Sequence, residues 1–192
     1  MSWLPAFEKG LWNVWILMLY FPLHPLIMIV VDKAVGTGEI FKKMGDVPYT
    51  KGEKRDYMIY MAVMIVLTIY SVFLPLKPGT ARFTAGLAIY LVGLVILLTA
   101  IVDVATTPMG QLFTKGLYHF SRHPMYIALV IINMGVGIAS ASWIFLLFSV
   151  VIIVLYSSQV AAEERGCLET YGDEYQEYMN RTPRWIGIPK SR

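Results

Sequence analysis

The chain has 192 residues, 57% of them hydrophobic and only 15% charged, with 16 Lys+Arg against 13 Asp+Glu and a mean hydropathy of +0.59. A soluble domain carries roughly 25% charged and about 45–50% apolar residues, so an ordinary cytosolic globule, a disordered chain and a nucleic-acid-binding chain are excluded. The single cysteine, Cys167, excludes an internal disulfide framework and any cysteine-based metal cluster.

Crossing the hydrocarbon core as a helix takes about 20 consecutive apolar residues. Four stretches meet that length: Leu11–Val31, Tyr57–Leu76, Phe83–Val102 and Trp143–Ala162. Leu11–Val31 exceeds a signal-peptide core and no small-residue cleavage site follows, so it is expected to stay in the protein. Pro22 and Pro25 should kink it, because each removes a backbone donor and crowds the preceding turn. A fifth stretch, Met125–Ala139, is short for a straight span, and Ser140–Ser142 leaves little room for a loop. The pair Met125–Ala162 therefore reads as a tight helical hairpin. Asn133, Gly135 and Gly137 are expected where two helices approach closely.

Five crossings place Met1–Gly10 on one side with loops 77–82 and 140–142. That side holds only Lys9, Lys77 and Arg82, while the other 13 basic residues fall on the opposite side. Lys and Arg remain cytoplasmic, so the C-terminal tail is expected in the cytosol and the N-terminus across the membrane. After Glu163 the composition turns polar. There Leu168, Tyr171, Tyr175 and Tyr178 recur at helical spacing, which predicts an amphipathic interfacial helix ended by Pro183.

Charged groups beside membrane spans are costly and mark candidate sites. The densest run is Gly116-Leu117-Tyr118-His119-Phe120-Ser121-Arg122-His123-Pro124-Met125-Tyr126. Pro124 suits the first helical position, which makes His123 the expected N-cap. Arg122 and the free N–H groups there would attract a carboxylate or phosphate. A basic anchor among lipid headgroups is the simpler alternative for Arg122. The second cluster is Gln159, Glu163 and Glu164. Gln159 and Glu163 share a helix face, so Glu163 should point toward the bundle and Glu164 elsewhere; a solvated helix end is the alternative. His24 reads as a kink residue, Asp103 as a cap for Thr106 or Thr107, and Cys167 as an inert thiol. No Walker loop, strand-borne GxGxxG or HExxH spacing is present.

GLYHFSRHPMY, followed by a helical hairpin, EE and YGDEYQEYMNRTPR, resembles the isoprenylcysteine carboxyl methyltransferase family, in particular its small prokaryotic members, over about residues 105–185. The resemblance implies an all-α polytopic membrane protein with five transmembrane helices, the last two a tight hairpin, and a C-terminal amphipathic helix closing a cofactor pocket. It implies one membrane domain over 1–192, with three spans in 1–104 and the catalytic, cofactor-binding half in 105–192. S-adenosylmethionine would be the cofactor and S-adenosylhomocysteine the product. Carried over by position, Tyr118, His119, His123, Pro124, Met125, Tyr126, Glu163 and Glu164 would line the cofactor site, with Gln111 and Leu112 from the aligned stretch Gly110–Phe113. Arg122, Glu163 and Gln159 would face the chemistry, His123 and Arg122 near the cofactor's carboxylate. The expected partners are the bilayer and a lipophilic or prenylated acceptor entering from it, with no metal and no nucleic acid. Gln159 departs from the family, where eukaryotic members place an arginine suited to a carboxylate, so the acceptor is expected to differ. RHPxY with a YG-x-x-x-x-Y tail also occurs in NADPH-dependent sterol-type membrane reductases, which is one alternative; a non-enzymatic lipid-binding or transport protein is another.

Overall fold

The computed structural model describes residues 10–190. The expected outer flank Met1–Lys9 and the final Arg192 lie outside the described residues. All regular structure among those described is helical. The order is α1 (Trp15–Met18), α2 (Tyr20–Val35), α3 (Ile40–Met44), α4 (Lys51–Ser71), α5 (Ala81–Thr106), a 3-10 turn (Gly116–His119), α6 (Pro124–Ala139), α7 (Trp143–Tyr171) and α8 (Asp173–Arg181).

The first helical stretch starts later than its hydropathy. Val14 N donates to Leu74 O at 2.9 Å, Leu76 N to Trp12 O at 3.0 Å, and Asn13 Nδ2 to Val72 O at 2.7 Å. Residues 12–14 thus pair with 72–76 around an isolated antiparallel bridge between Asn13 and Pro75. That pairing moves the expected Leu11–Val31 to Trp15–Val35 and ends the expected Tyr57–Leu76 at Ser71. A one-residue turn at Leu19 divides α1 from α2; Pro22, having no N–H, leaves the Met18 carbonyl without its helical donor. At the other end of α2 the Asp32 carboxylate accepts Ile40 N at 2.7 Å, turning the chain into α3. Lys43 Nζ then donates to Ala105 O at the end of α5. Segment 45–50 is irregular, with Tyr49 N donating to Val47 O, and Thr50 and Glu53 close a reciprocal capping box that starts α4.

Helices α5 and α6 make the closest pair. A Cβ on Gly86 would lie 2.6 Å from Ala139 Cα, one on Gly93 2.9 Å from Ile132 N, and one on Gly135 2.6 Å from Tyr90 N. Glycine lets backbone meet backbone where the driving force is packing rather than water exclusion. Gly137 faces Leu146 of α7 instead. Among the described residues three stretches are long and apolar enough to cross a membrane: Trp15–Val35, Ala81–Thr106 and Trp143–Tyr171. The 16-residue α6 rises about 24 Å and is buried along most of its length between its neighbours.

The polar tail forms differently from expectation. Helix α7 runs through Glu163 and Glu164 unbroken to Tyr171, and the turn comes at Gly172, whose φ of 53° suits glycine. Leu168 and Tyr171 therefore belong to α7, and Tyr175 and Tyr178 to the separate α8. Their aromatic rings turn inward: Tyr175 is buried, and Tyr178 Oη donates to Tyr118 O at 2.6 Å. A tyrosine face expected against the bilayer instead walls a cavity.

Candidate active site

The helices enclose a cavity of about 810 Å³, within the roughly 300–1,000 Å³ that holds a cofactor-sized ligand. One side is the start of α6 with the 3-10 turn before it, and the opposite wall is the second half of α7. Helices α2 and α4, segment 45–50 and α8 complete the enclosure. Two ties hold it shut. Arg165 donates bidentately to Glu53 at 3.0 and 2.7 Å and to Pro48 O at 2.6 Å, strapping segment 45–50 onto α7. Asp103 fixes the 3-10 turn by accepting Leu117 N at 2.8 Å. Thr106 and Thr107 bond to the Asp103 carbonyl rather than to its carboxylate, so the expected cap is made by backbone.

Pro124 occupies the first turn of α6 and His123 its N-cap position, as read from the sequence. His123 has no capping bond of its own; its N–H donates to Ser121 Oγ at 3.0 Å, and its ring lies between two carboxylates. Nδ1 is 3.5 Å from Glu163 Oε2 and Nε2 is 3.2 Å from Glu164 Oε1. Burial pulls the imidazole's pKa down, but hydrogen bonds and charge from Glu163 and Glu164 outweigh it and leave it raised. Tyr126 Oη donates to the other oxygen of Glu163, and the Tyr126 ring meets Tyr156 with centroids 4.7 Å apart.

Glu163 points into the bundle as its spacing from Gln159 predicts, and Glu164, on another face of α7, is buried as well. Glu163 lines the cavity and keeps 28% of its side chain exposed, while Glu164 is 4% exposed and lies behind His123. Glu164 Oε1 accepts Arg122 Nε at 2.9 Å and Nη2 at 2.7 Å, and its other oxygen accepts Arg184. Arg122 further donates Nη1 to Met179 O at 3.0 Å and Thr182 O at 2.7 Å. Its fork is thus spent on holding α8 and the chain after it, although the residue borders the cavity. The spacing could not show this, because Arg184 is brought to Glu164 only when the tail folds back.

Of the residues singled out from the sequence, Leu112, Tyr118, Arg122, His123, Met125, Tyr126, Gln159 and Glu163 converge on the cavity. Pro124 is buried just behind it. Gln111 faces a smaller polar hollow beside Asp103 and Glu174, and His119 is exposed with its ring against Phe120. Gln159 is buried at 3% exposure, and its Nε2 has no hydrogen-bond partner. Sequence reading missed Tyr49, Tyr60, Tyr156 and His24 as wall residues. Their signal, scattered tyrosines with one pair a turn apart (Tyr57 and Tyr60 on α4) and a histidine between prolines, is indistinguishable from core packing until the helices are assembled.

Residues 81–174 match the family model of the phospholipid methyltransferases. Protein-S-isoprenylcysteine O-methyltransferase of Schizosaccharomyces pombe is 33% identical over 79 residues, which is 41% of this chain and 33% of that protein. Methanethiol S-methyltransferase 1 of Bradyrhizobium diazoefficiens is 33% identical over 82 residues, 43% of this chain and 27% of that protein. Protein-S-isoprenylcysteine O-methyltransferase B of Arabidopsis thaliana is 27% identical over 92 residues, 47% and 46% of the two chains. The chain spans less than half the length of the curated relatives it matches. The family resemblance read from the sequence is borne out on this stretch.

Proposed function

We propose that this chain, whose residues 81–174 match the family model of the phospholipid methyltransferases and which is similar to isoprenylcysteine methyltransferases, transfers a methyl group from S-adenosylmethionine to a lipophilic acceptor. The observation that carries the reading is the cavity itself, which gathers a carboxylate, a raised-pKa imidazole and edge-to-face tyrosines at the start of α6. These groups fit the donor's chemistry. Tyr118, Tyr126 and Tyr156 offer ring faces to a sulfonium and to an aromatic base. Glu163 can accept from an ammonium or ribose hydroxyls. The chemistry S-adenosylmethionine supplies when bound is an electrophilic methyl group on a sulfonium.

The chain's own part is to align and to dry. Helices α2, α4 and α7 and the 45–50 strap keep water out, and positioning alone supplies several kcal/mol of a transfer barrier. His123, held between Glu163 and Glu164, keeps the polar wall rigid. Arg122 stabilises it from behind through Glu164 and is a positioning residue.

The topology belongs to the same reading. Helices α4 and α6 join the three long apolar stretches as the fourth and fifth crossings of one membrane domain, 1–104 carrying three and 105–192 the cofactor half. α6 and α7 form the hairpin, and α8 closes the pocket. Exposed Met58, Ile59, Ile65, Val66 and Ile69 give α4 a lipid-facing side. The excess of basic residues at the cavity end sets that end and the C-terminal tail in the cytosol, with the N-terminus opposite. The acceptor enters from the bilayer beside Pro22 and Pro25, which are exposed yet border the cavity.

Calorimetric titration of the detergent-purified chain with S-adenosylhomocysteine and with NADPH tests this. Saturable binding of the first, weakened at least 10-fold by Glu163→Ala and by His123→Ala, is expected. Binding of NADPH alone would make the chain a reductase and end the proposal.

A further inference from the structure

The wall of the cavity contributed by α2, α4 and the Tyr156–Gln159 turn of α7 consists of Phe21, Pro22, His24, Pro25, Tyr57, Tyr60, Met61, Tyr156 and Gln159, with no charged side chain. Its floor is a chain of rings. Phe21 and Tyr60 lie 6.5 Å apart, Tyr60 and Tyr156 5.1 Å, and Tyr156 and Tyr126 4.7 Å. His24 stands three residues beyond Phe21, and Gln159 three beyond Tyr156. Each is one helical turn further toward the end where the 45–50 strap crosses. Two buried polar atoms at that level have no hydrogen-bond partner, His24 Nε2 and Gln159 Nε2. A buried polar group left unpaired costs free energy, and both residues line the cavity, where a ligand atom can reach them. At the opposite wall His123, Glu163 and Tyr126 already have partners.

Lys42, Lys43 and Asp46 border the cavity at the strap end, but Lys42 is paired with Glu39 and Lys43 donates to Ala105 O. A carboxylate acceptor would therefore bring a full negative charge to a lobe whose nearby lysines are already engaged, which is unfavourable at low dielectric. An acceptor that arrives neutral and gives up a proton suits it. Among such groups a thiol has the ionisation nearest to an imidazole's, about 8.5 against about 6.5.

We propose, resting on the methyltransferase reading above, that this lobe receives an alkyl or prenyl thiol and that His24 Nε2 takes its proton, with the Gln159 amide holding the sulfur. In the step, the acceptor's S–H bond breaks and its proton passes to His24. A new C–S bond forms to the methyl group as the methyl–sulfonium bond of the donor breaks, and the donor leaves as a neutral thioether. The proton then leaves His24 for solvent, so one thiol and one sulfonium yield two thioethers and one proton.

The test uses the full chain in detergent with decanethiol, a farnesylcysteine analogue and decylamine as acceptors. Decanethiol is the expected substrate, with a rate that rises with pH through one ionisation. His24→Gln should lower that rate by roughly 100-fold, the scale of general-base catalysis, and abolish the pH-dependent rise. Calorimetric affinity for S-adenosylhomocysteine should stay within twofold, which a collapsed fold would not allow. Faster turnover of the carboxylate or the amine than of the thiol overturns the proposal. So does a His24→Gln chain that keeps its thiol rate and pH profile. Failure of the unaltered chain to bind S-adenosylhomocysteine would instead refute the methyltransferase reading, and this assignment with it.

Discussion

Removing the buried anion behind the site exposes how the C-terminal segment is held. Glu164 is 4% exposed and Arg122 8%, and the two meet through two hydrogen bonds of 2.9 and 2.7 Å. Arg184, 43% exposed, adds an outer contact that solvent screens. Glu164→Met leaves the Arg122 guanidinium buried without a counter-charge, a loss of about 3–5 kcal/mol for a pair of this kind. The bonds from Arg122 to Met179 O and Thr182 O, and from Arg122 N to Pro183 O at 3.1 Å, depend on the same side chain and backbone. The damage should therefore concentrate in residues 173–190. Hydrogen exchange by mass spectrometry is expected to show faster exchange of α8 and the following chain, with the α5–α6 pair unchanged. The double variant Arg122→Met/Glu164→Met removes both charges together, so it should melt above Glu164→Met alone. A double variant that melts at or below the single one, or a single variant with unchanged exchange in 173–190, would refute the reasoning.

Three further outcomes follow from the geometry. His123 has a raised pKa in the folded chain, so its contribution to stability is complete below its ordinary value of about 6.5 and fades as pH climbs through the raised value. The melting-temperature gap between the unaltered chain and His123→Asn should therefore narrow as pH rises, and a gap that widens would contradict the cluster. Gly86→Ala places a methyl 2.6 Å from Ala139 Cα, backbone it cannot displace cheaply, and should cost about 1–3 kcal/mol in thermal unfolding, whereas Gly52→Ala, with open space around it, should cost far less. Arg165→Ala frees the strap at Pro48 and Glu53 and should make segment 45–50 a preferred site of limited proteolysis, with S-adenosylhomocysteine affinity lowered several-fold in calorimetry.

Composition and apolar run length determined that the chain is helical and membrane-bound, because a bilayer admits few ways of satisfying backbone polar groups. The order RHP also determined a helix start at Pro124 with His123 as its N-cap position, since proline's missing N–H fits only the first turn. Such rules act over a few residues, and a sequence carries them openly. Partnerships between distant residues did not show. Glu164, expected to point away, is buried because Arg122 and Arg184 arrive from residues 42 and 20 positions distant. The tyrosines after Glu163 have the spacing of a surface helix. They wall the cavity because α7 continues to Tyr171 and Gly172 then turns α8 back over Tyr118. Helix ends at Ser71 and Trp15 likewise depended on backbone hydrogen bonds between segments about 60 residues apart. Local patterns say which face of a helix is apolar. Which neighbour covers that face, and whether a buried charge finds its partner, is decided only when the helices pack.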